Sequence, residues 1–386
     1  ANASFISFGD IDSNGDLEII FVSNDQINQE TPEHQRTPVY ALHHTGDLVD
    51  GFPSGKISNL HWPQSLNVVF PKTRSGAPVI TDIDNDGNNE ILISYGVGLD
   101  KILTYVIEGD GTIKTGWPVI ATNNFFDPAG NIVALDIDGD GTKEIAQYLI
   151  ELKSPSNTMN QIVKLYNPQG SLISSHSHDS KLPRGSFMED SFRLAVGDID
   201  NDGIDEIATT FFTKTDSSRE VTCKIFGANL EAQTEFVVDG AFYINPPTLI
   251  QADETSELEL AFQLQASNTQ SLYDFQGSLI SKVKTDNDAK LFFLADMNSP
   301  PYSSIEGQND INIFYPTYVN SVFHKLETAR PWFGIGITSI FGEFDLLNSK
   351  KIGSLHSPVA LSDNNINRNF LFGGHMRTGL VYVFNS

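Results

Sequence analysis

The chain has 386 residues, 39% of them hydrophobic, with 24 lysines and arginines against 49 aspartates and glutamates and a formal charge of −25. That length and apolar content suffice for a large buried core and exclude wholesale disorder. A surface this acidic repels phosphate backbones and anionic lipids, so neither nucleic acid nor a membrane surface is expected as a partner.

No apolar run reaches the roughly 18 residues that suggest a spanning helix, so no membrane insertion is expected. The single cysteine, Cys223, allows no intrachain disulfide and no cysteine-based zinc site, and is read as a buried structural thiol. The opening Ala1-Asn2-Ala3-Ser4 has neither an initiator Met nor a basic segment followed by an apolar run. A processed chain or an excised domain of a larger protein is the expectation.

In chain order, one unit repeats. Gly9-Asp10-Ile11-Asp12-Ser13-Asn14-Gly15-Asp16-Leu17-Glu18 returns as Thr81-Asp82-Ile83-Asp84-Asn85-Asp86-Gly87-Asn88-Asn89-Glu90. It returns again from Leu135-Asp136-Ile137-Asp138 to Glu144, and from Gly197-Asp198-Ile199-Asp200 to Glu206. The first aspartates stand at 10, 82, 136 and 198, steps of 72, 54 and 62. A short apolar run precedes each loop and another follows it. A third strand ends in a Gly turn, as at Gly46, Gly109-Asp110-Gly111 and Gly170, and a fourth is closed in the first two copies by Gly51-Phe52-Pro53 and Gly116-Trp117-Pro118. Runs of about four to seven residues, rich in β-branched and aromatic types and cut by Gly, Asn, Asp and Pro, predict strands. Helical periodicity is absent.

Fainter copies begin near 247, 291 and 356, following those near 5, 77, 131 and 193. Four strands per copy at such steps suit propeller blades better than a sandwich. The expectation is therefore an all-β chain, a single domain over 1–386, forming a seven-bladed β-propeller of four-stranded antiparallel blades. The last copy stops after its third strand, so that blade is either three-stranded or completed from outside the chain. The stretch 321–350 fits the pattern worst.

The loop pattern is Asp-x-Asp-x-Asp/Asn-Gly-x-x-Glu. Carboxylates at positions one, three and five of a tight loop converge on one point, and Gly at six permits the turn. Calcium takes six to eight hard oxygens in flexible geometry, whereas magnesium prefers rigid octahedral sites, so calcium is the expected ion. Solvated acidic turns use the same residue types, but four copies in one strand–loop–strand frame make that reading poor. An EF-hand needs a Glu at twelve and flanking helices, and has neither here.

These copies resemble FG-GAP/VCBS repeats, which build the integrin α-subunit head and many bacterial surface and secreted proteins. The resemblance is strong to about 210 and weak beyond. It implies about four structural calcium ions held by Asp10, Asp12, Asn14, Asp16 and Glu18; by Asp82, Asp84, Asp86, Asn88 and Glu90; by Asp136, Asp138, Asp140, Thr142 and Glu144; and by Asp198, Asp200, Asp202, Ile204 and Glu206. Asp16, Asn88, Thr142 and Ile204 would act through their carbonyls. The family often has Asp at the ninth position, where this chain has Glu. The corresponding positions Gln251, Asp253 and Thr255, then Asp296 and Asn298, then Leu361, Asp363 and Asn365 depart from the pattern, and no calcium is expected there.

No Gly-x-Ser-x-Gly, His-Glu-x-x-His, phosphate loop or Gly-x-Gly-x-x-Gly occurs, so no enzyme activity is expected. The pairs His43-His44 and His176/His178 are candidate metal ligands, but belonging to no motif they are read first as ordinary turn and loop residues. The segments 23–38, 55–72, 121–131, 150–160 and 175–193 are read as long loops on the face opposite the acidic loops, with Trp62, Phe125, Phe126, Phe187 and Phe192 as candidate anchors or as gap-fillers between blades. The leading expectation is a non-catalytic extracellular recognition or adhesion propeller, secreted or on the cell surface, that binds a protein or glycan. The alternatives are the propeller domain of a secreted polysaccharide-degrading enzyme and a structural domain of a surface assembly.

Overall fold

The computed structural model describes residues 3–23, 39–52, 78–97, 101–122, 131–183 apart from 154 and 157, 194–215, 219–239, 247–250, 257–264, 269–284, 293–296, 311–319, 322–329, 355–363, 368–375 and 381–385. These residues form seven antiparallel sheets, four of four strands and three of three. Among them there is no α-helix, only a 3-10 turn at Ala228–Leu230. The chain divides into two compact units, Ala1–Gly197 with Gly203–Val237, and Asp198–Asp202 with Val238–Ser386, so the division falls inside the fourth acidic loop.

The first unit holds four sheets. They are β1 Ala3–Gly9, β2 Glu18–Ser23 and β3 Val39–Leu42; β4 Val79–Thr81, β5 Glu90–Val97, β6 Lys101–Ile107 and β7 Val119–Thr122; β8 Asn131–Leu135, β9 Glu144–Lys153, β10 Thr158–Tyr166 and β11 Leu172–Pro183; and β12 Leu194–Gly197, β13 Glu206–Lys214, β14 Arg219–Phe226 and β15 Ala232–Val237. Successive strands pair in sequence order within each sheet.

The core lies between sheets. Alternate side chains of a strand face opposite ways, and β5 uses both faces. Ile91 and Ile93 join Ile20, Val22, Leu103 and Tyr105 in one apolar cluster. Leu92 joins Ile83, Val106, Trp117, Ile132 and Tyr166 in the next. Trp117 ties two sheets together, its Nε1 donating to the Pro168 carbonyl at 2.8 Å while its ring meets Tyr166 edge-on at 6.3 Å. Cys223 is fully buried, as expected, and burial pushes its thiol pKa up.

In the second unit β16 Thr248–Ile250, β17 Glu259–Leu264, β18 Thr269–Tyr273 and β19 Leu279–Lys284 form a four-stranded sheet, with Phe262 edge-on to Tyr273. Two three-stranded sheets follow. They are β20 Phe293–Asp296, β21 Ile311–Val319 and β22 Val322–Ala329, then β23 Leu355–Asp363, β24 Arg368–His375 and β25 Val381–Asn385.

Three expectations change. The described residues of 150–160 and 175–183 are largely strand: β9 and β10 form a hairpin closed at Pro155 and Ser156, and β11 runs to Pro183. The polar run Ser174–Asp179 looks like loop because β11 is the edge strand of its sheet and leaves much of its surface to solvent. In the second copy the fourth strand, β7, follows Gly116-Trp117-Pro118, and only an isolated bridge between Ile107 and Ile113 precedes it. The residues 24–38, 53–77, 123–130 and 184–193, with Trp62, Phe125, Phe126, Phe187 and Phe192, lie outside the described residues.

Candidate metal centres

Each acidic loop spans a hairpin whose register closes on a glutamate. Gly9 pairs with Glu18, Thr81 with Glu90, Leu135 with Glu144 and Gly197 with Glu206. All four glutamates are buried. A buried carboxylate requires partners, and the isoleucine at the second loop position supplies one. Ile11 N–H donates to Glu18 at 3.0 Å, Ile83 N–H to Glu90 at 2.9 Å and Ile137 N–H to Glu144 at 3.4 Å. The isoleucine is itself core, so each of these three loops is pinned by an apolar side chain and a buried acid together.

The first aspartate folds the loop back on itself. Asp10 accepts from Asn14 N–H at 3.1 Å and Gly15 N–H at 2.9 Å. Asp82 accepts from Asp86 and Gly87, Asp136 from Asp140 and Gly141, and Asp198 from Asp202, in the same manner. The fourth and sixth positions are left-handed in every copy: φ is 58° at Ser13, 60° at Asn85, 73° at Gly139 and 60° at Asn201, then 90° at Gly15 and Gly87, 88° at Gly141 and 94° at Gly203. Gly is the least strained residue there.

These turns gather carboxylates. One oxygen each of Asp82, Asp84 and Asp86, and of Asp136, Asp138 and Glu144, lie within 4.8 Å of one another. Asp12 and Glu18 converge with His43 Nδ1 within the same distance. His43 therefore belongs to the first cluster, 3.3 Å from Glu18 Oε1 and 3.9 Å from Asp12, so of the two readings of this histidine the structure favours the ligand over the ordinary turn residue. His176 and His178 are strand residues instead, with rings packed on Phe211. At the seventh position the Asn88 amide group is engaged by Asp86 and Ser13, and the Thr142 hydroxyl by Asp140.

Electrostatics separates the copies. Burial, then the charges of Asp138 and Asp140, pushes Glu144 up to about 7, and no cation faces it among the described residues. Asp140 itself is held below the ordinary carboxylate range by the Thr142 hydroxyl and N–H. Asp200 is raised by burial and then by Asp202 and Asp198. Crowded hard oxygens whose ionisation is opposed by their own neighbours suit a divalent hard cation, so the acidic groups fit a metal ion. The Glu90 carboxylate is likewise raised by burial, but it is met by Lys114.

Consecutive loops are laced to one another. Asn89 Nδ2 donates to the Asp10 carbonyl at 2.7 Å, Lys143 N–H to the Ile83 carbonyl at 2.8 Å and Asp205 N–H to the Asp136 carbonyl at 3.1 Å. In the second unit Leu258 N–H reaches the Ile199 carbonyl at 2.8 Å. The sequence gives little hint of this lacing, because the donors at the eighth position differ in type. A fifth glutamate, Glu259, is buried and pairs with Ile250 at the end of the corresponding hairpin. The ligand positions Gln251, Asp253 and Thr255 between them lie outside the described residues, as do Asn298 and Asn365.

Sequence comparison matches the chain to no family model and to no curated protein. Comparison of structures does find likenesses. The exotype rhamnogalacturonan lyase YesX aligns at TM-score 0.52 and 14% identity over 100% of this chain and 65% of its own. BBS1N, solved in complex with ARL6DN, aligns at TM-score 0.52 and 10% identity over 99% of this chain and 92% of its own. The V. cholerae biofilm matrix protein Bap1 aligns at TM-score 0.46 and 13% identity, and this chain spans 58% of its length. The chain is an all-β protein of propeller-like sheets, similar in fold to YesX and BBS1N, and it spans about two thirds or less of the length of YesX and Bap1.

Proposed function

We propose that the chain is a calcium-stabilised, seven-bladed β-propeller of FG-GAP/VCBS type that works outside the cell as a domain of a polysaccharide-degrading protein. The observation that carries the calcium half is the repeated loop. In it a buried glutamate, a folded-back aspartate and a converging third acid recur with one backbone geometry. The residues named above in the first, third and fourth loops are its proposed ligands, with position seven acting through the backbone; the second loop, with Asp82, Asp84, Asp86, Asn88 and Glu90, is met by Lys114. Extracellular calcium keeps sites of modest affinity filled.

The polysaccharide half draws on the fold shared with YesX, a rhamnogalacturonan lyase by name. It is tested ahead of the adhesion reading, in which a protein or glycan partner is met by the long loops, because the likeness to YesX bears on it directly. The protein, with calcium and with chelator, is incubated with rhamnogalacturonan and other acidic and neutral polysaccharides. Retention on a polysaccharide, or release of unsaturated product seen by ultraviolet absorbance, is the expected result. Neither retention nor cleavage on any polysaccharide would return the chain to protein recognition.

A further inference from the structure

We infer that Lys114, and not a calcium ion, is the resident cation of the second acidic loop; this rests on the calcium reading of the loops given above. The Lys114 ammonium lies 2.8 Å from Asp84 Oδ2, 3.0 Å from Glu90 Oε1 and 3.0 Å from Glu108 Oε1. Asp84 and Glu90 are the third and ninth positions of the loop, the counterparts of Asp138 and Glu144, which converge on one point in the third copy. The ammonium therefore holds the counterparts of the two carboxylates that converge with Asp136 in the third copy, and shares Asp84 with the second loop's own group of Asp82, Asp84 and Asp86. It has three N–H donors and three carboxylates to receive them.

Lys114 is 13% exposed and Glu90 1%. The three carboxylates around it supply the counter-charge that a largely buried ammonium requires. A divalent ion between the same two carboxylates would sit beside the ammonium in a poorly hydrated place, where repulsion is weakly screened.

The sequence shows why neither neighbouring copy does the same. Lys114 N–H bonds the Val106 carbonyl just after the bridge of Ile113 to Ile107. Val49 N–H bonds the Ala41 carbonyl after the bridge of Leu48 to Leu42, so Val49 is the counterpart in the first copy. In the third copy Leu172 pairs with Tyr166, which makes Ile173 the counterpart. Neither can supply a charge. Asp84 Oδ1, buried and without a hydrogen-bond donor, is the oxygen a metal would take if the ammonium were removed.

The test counts calcium by elemental analysis after gel filtration in calcium buffer, on the full chain, its Lys114→Met variant and a Lys153→Met control. Lys153 pairs with Asp179 and removes the same charge without touching an acidic loop. Lys114→Met is expected to carry one more calcium per chain than either of the others. Equal, nonzero counts in all three would overturn the assignment of Lys114 alone, and zero in all three would overturn the calcium reading with it. A second pair keeps the test decisive if Lys114→Met does not fold. Asp84→Asn should leave the count unchanged while Asp138→Asn lowers it by one, and an equal loss in both overturns the inference.

Discussion

The Asn89 side chain donates to the backbone carbonyl of Asp10 at 2.7 Å, across 79 residues of chain. That bond joins the first two acidic loops directly, so each supports the other's shape. Removing it should cost about 1 kcal/mol, the usual net worth of such a bond. Asn89→Ala is therefore expected to lower the melting temperature by about 1 to 2 °C, with calcium content unchanged. A variant that melts with the parent would show that the lacing contributes nothing.

Calcium is expected to stabilise the fold by mass action. At free calcium a hundredfold above its dissociation constant, one site contributes about 2.7 kcal/mol. Chelation should lower the melting temperature, calcium should restore it, and magnesium should restore it less, because the loops offer adaptable oxygen cages. Calorimetry in the three buffers decides this. Indistinguishable curves would remove calcium from the description.

The metal-free chain should have an unusual pH dependence. Glu144 is raised from 4.5 to about 7 in the folded state by burial and by Asp138 and Asp140. A raised carboxylate pKa means that the folded state holds the proton more tightly than the unfolded one. Its contribution is intact below about 4.5 and is lost as pH rises to about 7. In chelator, Glu144→Gln is expected to flatten part of the decline in stability across that window. In calcium the decline should be absent, since the ion opposes proton binding. Urea titrations at several pH values measure both.

Gly116 has φ of 94° and lies against the neighbouring turn, where a Cβ would overlap the Gln169 carbonyl. Gly116→Ala faces left-handed strain and a backbone clash at once. A loss of at least 1 kcal/mol follows from the strain alone, read as a lower denaturant midpoint. Gly15→Ala, with open space around its α-carbon, should lose less.

Much of the site was readable before any coordinates, because its chemistry is local. Asp10, Asp12, Asn14 and Glu18 fall within nine residues, and so do their three sets of counterparts. The apolar residue at position two recurs in the sequence as Ile11, Ile83, Ile137 and Ile199, but that it is core and pins the loop is a finding of the structure. What escaped was contact between distant segments. Lys114 stands 24 residues after Glu90, on a turn with no pattern of its own. His43 is placed by the end of β3 beside Glu18, 25 residues back. Strand β11 escaped for a different reason: an edge strand is stabilised on one side only and can keep a loop-like composition of Ser and His.

The distance from the first aspartate to the glutamate is the same in four copies, whereas the copies themselves begin 72, 54 and 62 residues apart. Lacing between loops imposes that uniformity, because a residue added inside a loop would break the bond to its neighbour. Length is free to drift at the other end of each sheet. The exposed turn at Pro155 and Ser156 is such a place, separated from Glu144 by the whole of β9, about 30 Å of extended chain. A foreign peptide grafted between these two residues would ride on a fixed frame, and the acidic end would not register its presence.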